Sequence, residues 1–185
     1  MKCFRMIAVF VCSAVIAGGL MVPAPVGAAS AKEINRGIDR VLPKLYARIP
    51  SSKMLGEKAK GILVFPGIKK GGFIVGGQYG EGALRVGGRT VGYYSSVAVS
   101  YGLQAGVQEF GYALFFMTDT ALKWLDKSDG WEIGSGPSIV VLDEGKAAAL
   151  TTTTAQHDVY AFFFNQKGLM AGLGLQGTKV SKIHK

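Results

Sequence analysis

The strongest constraint on the fold is the stretch 61–82, GILVFPGIKKGGFIVGGQYGEG, in which strand-forming apolar residues are interleaved with eight glycines. Glycine weakens an isolated strand, so this density of glycine indicates a sheet that coils strongly or that another element approaches closely. Four of the glycines fall on one face of an extended chain: Gly72, Gly76, Gly80 and Gly82. The stretch therefore predicts a tightly curled sheet with a helix packed on it.

A period of two in hydrophobicity continues through most of the remaining chain. It is clearest over 97–107, where Val97, Val99 and Tyr101 alternate with small or polar residues. Further strands are predicted at 61–65, 72–79, 83–86, 91–95, 110–117, 138–142, 148–153, 159–164 and 169–175. The fold class is therefore predicted as α+β and mostly antiparallel β: a curled β-barrel-like or sandwich sheet of about eight to ten strands.

Helices are predicted before the first strand and once within the sheet. Apolar residues over 32–49 recur at spacings of three and four, which indicates an amphipathic helix. Pro43 predicts a kink in this helix or the start of a second one. A short helix is expected near 52–60, capped by Ser51 or Ser52, and another at 120–126, capped by Asp119.

The first residues have the order of a secretory signal peptide. A basic start precedes the uncharged run 6–20, and small residues follow. Cleavage is predicted after Ala28, with the point after Ala31 as the alternative position. An uncleaved membrane anchor is the alternative to cleavage, and the run is short for a membrane span of about 20 residues. Both cysteines lie in this leader. We expect a helical segment over 29–60 and a β-rich core over 61–185, in a chain exported to the periplasm or cell envelope and peripheral to a membrane.

Charge is concentrated in the first part of the predicted mature chain. Residues 32–89 contain twelve Lys and Arg against four Asp and Glu, whereas 90–185 contain seven against eight. This asymmetry indicates an anionic partner, and an exported protein meets lipid head groups more often than nucleic acid. A soluble domain with a basic face is the alternative.

Two sets of cations are candidates for such a partner. Arg36, Arg40, Lys44 and Arg48 recur every four residues and form a stripe beside the apolar face of the first helix. Lys69 and Lys70 stand between Pro66-Gly67 and Gly71-Gly72, which predicts a turn over 66–72 that favours anions or simply keeps a hairpin tip soluble. The candidate lipid-binding residues are Arg36, Arg40, Lys44, Arg48, Lys58, Lys60, Lys69 and Lys70.

The sequence offers little for catalysis. GLGLQG at 172–177 matches G-x-G-x-x-G, but no helix-length segment and no acidic residue follow it, which argues against a nucleotide cofactor. His157 could be half of an acid–base pair with Asp158, although a turn position explains it as well. With His184 it does not make a zinc site, and no G-x-S-x-G is present. We therefore expect no enzyme, no metal site and no cofactor.

Several sequence blocks, in order, resemble the SYLF-domain family, also known as the yeast actin-binding-protein homology domain, and most closely its exported bacterial branch. The blocks are AKGILVFPGIKKGGFIVGGQYGEGALRVGG (59–88), YYSS (93–96), SYGLQAGVQ (100–108), FFMTDTAL (115–122), GW (130–131) and QKGLMAGLGLQGTKV (166–180). The resemblance implies a compact β-barrel-like core with flanking helices. It also implies lipid binding, phosphoinositide binding in eukaryotic relatives, through a basic N-terminal segment, here 32–60; some relatives bind actin.

These observations together predict an exported, non-catalytic lipid-binding domain that associates with anionic membrane surfaces. The alternative is a structural or adaptor protein of the envelope that binds a protein or an acidic polysaccharide. A small outer-membrane barrel is permitted by the strand count, but the glycine-laced strands and the basic N-terminal segment argue against it. The expected partners are anionic lipid head groups, with a protein partner as the second candidate, and neither nucleic acid nor a nucleotide cofactor is expected.

Overall fold

The computed structural model describes residues 28–72, 75–101, 106–127, 129–142, 156–167 and 175–185. The helices are α1 (Ala31–Arg48), α2 (Pro50–Lys58) and α3 (Asp119–Leu122), and a 3₁₀ turn (Lys123–Asp126) continues α3. The strands are β1 (Gly61–Gly72), β2 (Val75–Val86), β3 (Arg89–Tyr101), β4 (Gly106–Phe116), β5 (Trp131–Glu132), β6 (Ile139–Leu142), β7 (Val159–Lys167) and β8 (Lys179–Ile183).

The described strands form one sheet in the order β5-β8-β3-β2-β1-β4-β7-β6. Every pairing is antiparallel except that of β6 with β7. The sheet curls into a half-barrel, so the predicted α+β, mostly antiparallel fold with a curled sheet is confirmed. Most of the residue pairings lie between the long central strands β1 to β4, and the helices pack on these strands.

Helix α1 is one continuous helix of 18 residues, and Pro43 lies inside it without splitting it. A capping box starts the helix: Ser30 accepts from the Glu33 backbone N–H, and the Glu33 carboxylate accepts from the Ser30 N–H. Its apolar face is buried against the sheet through Ile34, Ile38, Val41 and Leu45. The apolar residues whose spacing of three and four predicted an amphipathic helix are the residues that the sheet buries.

Two cap predictions were wrong. Helix α2 begins at Pro50 with Ile49 as its N-cap, not Ser51 or Ser52. Ser52 is buried, and its hydroxyl donates to the Ile49 carbonyl at 2.6 Å. Thr118, not Asp119, caps α3 and accepts from the Ala121 N–H at 3.1 Å. At α3 two capping residue types are adjacent, and sequence alone does not choose between them; at α2 the helix begins at Pro50, and Ile49 supplies no side-chain cap bond.

A β-bulge interrupts β1 where the sequence has Phe65-Pro66-Gly67. The register against β2 shifts between Val64 and Ile68, and the register against β4 shifts between Phe65 and Ile68. Proline has no N–H to donate, and in a central strand it is therefore tolerated at a bulge. The predicted turn over 66–72 is thus wrong, because these residues continue β1.

Each face of the sheet has its own hydrophobic core. The core on the face away from α1 contains Phe65, Tyr112, Phe116 and Trp131. The second core lies under α1 and includes Val64, Phe115 and Phe162. Tyr112 is fully buried, and its hydroxyl donates to Ser96 Oγ at 2.7 Å. A helix packed on a curled sheet is therefore the arrangement observed.

The strand predicted over 97–107 is wrong as a single unit. β3 ends at Tyr101, β4 begins at Gly106, and β2 and β1 lie between these two strands in the sheet. Conversely, residues 75–79 of the strand predicted at 72–79 and the strand predicted at 83–86 are parts of one strand, β2, whereas Gly72 is the last residue of β1. The predicted leader up to residue 27 and the predicted strand 148–153 lie outside the described residues, as do residues 169–174 of the last predicted strand, which include the first half of the GLGLQG motif.

Candidate functional site

The cationic stripe predicted on α1 is exposed to solvent. Arg36, Arg40 and Lys44 are each exposed, and none of the three forms a salt bridge with another described residue. Arg48, in the last helical turn, is exposed as well. The stripe lies beside the buried apolar face, so the sheet under α1 determines where the cations point.

One flank of α1 borders a groove of about 420 Å³ between the helix, the β1 bulge and the ends of β4 and β7. Three cationic side chains line it: Arg40 and Lys44 from the helix, and Lys167 from β7. Glu109 is the one carboxylate among the lining residues. We call this feature the cationic groove. Its lining carries three positive charges against one negative charge.

The bulge in β1 brings α1 close to this groove. A Cβ on Gly37 would lie 2.9 Å from Pro66 Cγ, so glycine lets the helix contact the proline ring. On the opposite wall, Asn165 adopts a positive φ of 55°, and the β4–β7 register shifts between Glu109 and Gly111. Lys167 then pairs with Glu109 across the strands. Two local irregularities of the sheet therefore shape the groove.

The other candidate cations lie outside the lining of the groove. Lys69 is exposed and Lys70 half-buried, and both are in β1, paired with β2 and β4. Lys69 is the direct cross-strand neighbour of Glu109 and so stands next to the groove. Lys58 and Lys60 are exposed at the end of α2, and the Lys60 N–H donates to the Phe116 carbonyl at 2.8 Å.

The opposite flank of α1 is fixed by polar contacts of mixed charge. Arg85 Nη2 donates to Asp39 Oδ1 at 2.9 Å. Asn35 donates to the Tyr93 hydroxyl at 2.9 Å and accepts from the Thr90 hydroxyl at 2.7 Å. Asp39 and Arg85 also line a cavity of about 460 Å³ on this side. These contacts hold the helix to β2 and β3, so the cationic flank keeps its direction.

Beyond the groove, the same face of the sheet exposes apolar side chains. We call this set the apolar patch; its members are Val75, Tyr79, Val97, Val99 and Val107. The register places Val107 and Val99 in one cross-strand row with two glycines between them, because Gly71 pairs with both Val107 and Gly77, and Gly77 pairs with Val99. Val107 is 77% exposed and Val99 61% exposed. Exposed apolar patches of this kind mark contacts with proteins or membranes.

Sequence reasoning missed Lys167 and Glu109. The two residues are 58 positions apart and about 60 to 130 positions from α1, and only the β4–β7 pairing brings them to the helix. Within the described ranges, no group of three or more His, Cys, Asp or Glu side chains could hold a metal ion. The helices of those ranges also lack the combination of length and hydropathy that crossing a bilayer requires.

Comparison with known families identifies the second half of the chain. The family model described as "Ysc84: Las17-binding protein actin regulator" matches residues 97–185. Over these residues the chain matches the Ysc84, or SYLF, domain, in agreement with the resemblance seen in the sequence. The SYLF match includes β4 and β7 and therefore Glu109 and Lys167, whereas α1 precedes it. No curated protein matches the chain. The SYLF family is of a lipid- and actin-binding type.

Proposed function

We propose that the chain is an exported, non-catalytic SYLF domain that binds anionic membrane surfaces peripherally through the cationic groove. The observation that carries this proposal is the convergence of Arg40, Lys44 and Lys167 from two separate elements onto one groove. The phosphates of lipid head groups are the anions that such a groove suits, and an exported chain meets them at either membrane of the envelope. The lipid- and actin-binding character of the SYLF family supports the same class of partner.

The magnitude of the charge effect is sufficient for reversible recruitment. Each Lys or Arg near an anionic bilayer contributes about 1 kcal/mol. Three such cations contribute about 3 kcal/mol, or roughly a hundredfold in affinity. Lys69 and Arg36 lie close to the groove and add to its positive potential.

The direct test is sedimentation of the chain with vesicles of phosphatidylcholine that contain increasing fractions of phosphatidylglycerol. Binding is expected to rise steeply with the anionic fraction and to fall when salt is raised from about 0.05 M to 0.5 M, since the Debye length shortens accordingly. Pure phosphatidylcholine is the control and is expected to leave the chain in the supernatant. Binding that is equal for both lipids and independent of salt would contradict the proposal.

Glu109→Gln is expected to strengthen vesicle binding about fivefold, because it removes the negative charge that opposes the groove cations and adds a net charge worth about 1 kcal/mol. Because partial unfolding would also expose apolar surface that adsorbs to vesicles, the variant must give a thermal melting curve that matches that of the unaltered chain. The matched control is Glu132→Gln, which removes an exposed carboxylate from β5, outside the groove lining. If the two variants bind vesicles alike, local charge in the groove is not what the membrane senses.

A protein partner is the second candidate, and the apolar patch favours it. Its five members form an uncovered apolar surface beside the groove, which suits an adaptor of the cell envelope. The vesicle experiment separates the two candidates. A surface directed only at a protein would leave the chain unsedimented at every anionic lipid content.

A further inference from the structure

Glu81 of β2 is a buried carboxylate at which both ends of the described chain meet. The backbone N–H of Ala29 donates to Glu81 Oε2 at 2.9 Å. Lys185 Nζ donates to Oε1 at 3.0 Å and to Oε2 at 2.9 Å, and the Tyr79 hydroxyl donates to Oε1 at 2.7 Å. The Glu81 side chain is only 6% exposed and that of Lys185 only 10%.

The charge of this site is well defined. Burial opposes ionisation of Glu81, but hydrogen bonds from Lys185 and Tyr79 outweigh it, so the pKa of Glu81 lies below its ordinary value. Burial together with the bond to Glu81 raises the pKa of Tyr79 to about 12. At neutral pH the site therefore contains one carboxylate, one ammonium and one neutral phenol.

Ala29, whose backbone N–H donates to Glu81, is also the first residue after the preferred predicted cleavage point. Hydrolysis of the Ala28–Ala29 peptide bond by a leader peptidase adds one water: the Ala28 carbonyl becomes a carboxylate, and the Ala29 nitrogen becomes a free amine. An α-amino group has an ordinary pKa of about 7.7 to 8.0, so it is mainly an ammonium at neutral pH. Cleavage thus converts the neutral donor at Glu81 Oε2 into a cation.

We propose that the mature chain begins at Ala29 and that Glu81 is the binding site for its new N-terminal ammonium. The proposal rests on the leader predicted from the sequence and is independent of membrane binding. Processing would then add a second cation to a buried carboxylate and tie α1 to β2 more strongly than in the precursor. The bond in the precursor is already charge-assisted by the Glu81 carboxylate; cleavage makes the donor a cation as well, and the added Coulomb attraction at hydrogen-bond distance gives the sign of the effect.

The alternative cleavage after Ala31 conflicts with the observed contacts. It would remove Ala29 and with it the bond to Glu81. It would also remove Ser30, whose side chain and backbone both take part in the capping box with Glu33. Helix α1 would then begin without its cap, and the helix start would lose its contact with the sheet. Cleavage after Ala28 preserves both features.

N-terminal sequencing of the chain recovered after export tests the first half of the proposal. The expected first residue is Ala29. A first residue of Lys32, or a chain that retains its leader, would overturn it.

A thermal double-mutant cycle tests the role of Glu81. Two chains are compared, one that begins at Ala29 and one that begins at Gly27, which retains a neutral amide at Ala29 and moves the ammonium away. The chain that begins at Ala29 is expected to melt about 3 °C higher. This gap is expected to close when both chains carry Glu81→Gln. An unchanged gap in the Glu81→Gln pair, or no gap with Glu81 present, would refute the proposed site.

Lys185→Met provides a second route that leaves the carboxylate in place, should Glu81→Gln prevent folding. Without Lys185, the buried carboxylate of the Gly27 chain has no cationic partner at this site, whereas the Ala29 ammonium supplies one in the shorter chain. The gap in melting temperature is therefore expected to widen beyond its original value. A gap that stays constant or shrinks would show that the N-terminal ammonium does not bind Glu81.

Discussion

Replacing Arg40, Lys44 and Lys167 together by alanine is expected to weaken binding to anionic vesicles about a hundredfold. The three side chains line one groove, and each contributes about 1 kcal/mol near an anionic surface. They come from two elements that are distant in sequence, so the loss depends on the tertiary arrangement and not on a single basic segment. The measurement is the partition coefficient from sedimentation with phosphatidylglycerol vesicles at about 0.1 M salt.

A matched triple variant separates local from global charge. Lys53, Arg89 and Lys123 are exposed and lie outside the groove lining, so their replacement by alanine removes the same net charge from other parts of the molecule. This control is expected to bind within about threefold of the unaltered chain, because more distant charges are screened over a Debye length of about 10 Å. Equal losses in the two variants would mean that net charge alone drives adsorption and would contradict the groove as the binding surface.

Both triple variants are expected to fold normally. Exposed substitutions away from caps and buried networks usually change the free energy of unfolding by no more than about 0.5 kcal/mol. Circular dichroism and thermal melting therefore accompany the vesicle assay, and matching melting curves exclude unfolding as the cause of lost binding.

Much of the fold could be predicted from local periodicity, because the features that position α1 are local. The apolar residues of α1 recur at helical spacing and are buried at that spacing. The glycines of β2 indicated a curled sheet, and the sheet is curled. The exposed direction of Arg36, Arg40 and Lys44 follows from the same period, since they alternate with the buried positions. In these cases the sequence pattern and the structural feature that it predicts lie in the same helix or strand.

The wrong predictions concern segments whose local sequence is typical of one structure but whose strand pairing produces another. Pro66-Gly67 and Gly71-Gly72 are typical of a turn, yet a bulge in a central strand uses the same residue types. The apparent strand 97–107 spans the end of β3 and the start of β4, two strands that do not pair with each other. Alternation continued across the boundary, so no change in pattern marked it.

The groove could not be predicted because its parts are assembled over long sequence distances. Lys167 is one lysine in a segment of nearly neutral charge, and nothing local connects it with Arg40. The β4–β7 pairing supplies that connection and brings Glu109 with it. The charge asymmetry indicated the N-terminal part, which supplies Arg40 and Lys44. The groove residues of β4 and β7 lie in the part that matches the SYLF family.

Gly82→Ala is expected to cause a large loss of stability, about 3 kcal/mol in the free energy of unfolding and about 6 to 12 °C in melting temperature. A Cβ at this position would overlap the carbonyl oxygen of Val64 and lie 2.7 Å from Phe65 Cδ1. The backbone oxygen belongs to the central strand β1 at the edge of its bulge, so it cannot rotate away as a side chain would. Chemical denaturation of the purified variant measures the effect.

Gly77→Ala, in the same strand, is the matched control. Its Cβ would approach no described atom more closely than the Ala98 carbonyl oxygen at 3.9 Å, which is ordinary van der Waals contact. Replacing such a glycine removes conformational freedom from the unfolded chain, so the variant is expected to be neutral or stabilised by up to about 1 kcal/mol. Similar losses for the two variants would mean that the overlap with Val64 at Gly82 is not what makes the substitution costly. A loss confined to Gly82 would show that close contact at the bulge requires it, and the same bulge places Pro66 against α1 and gives the cationic groove its wall.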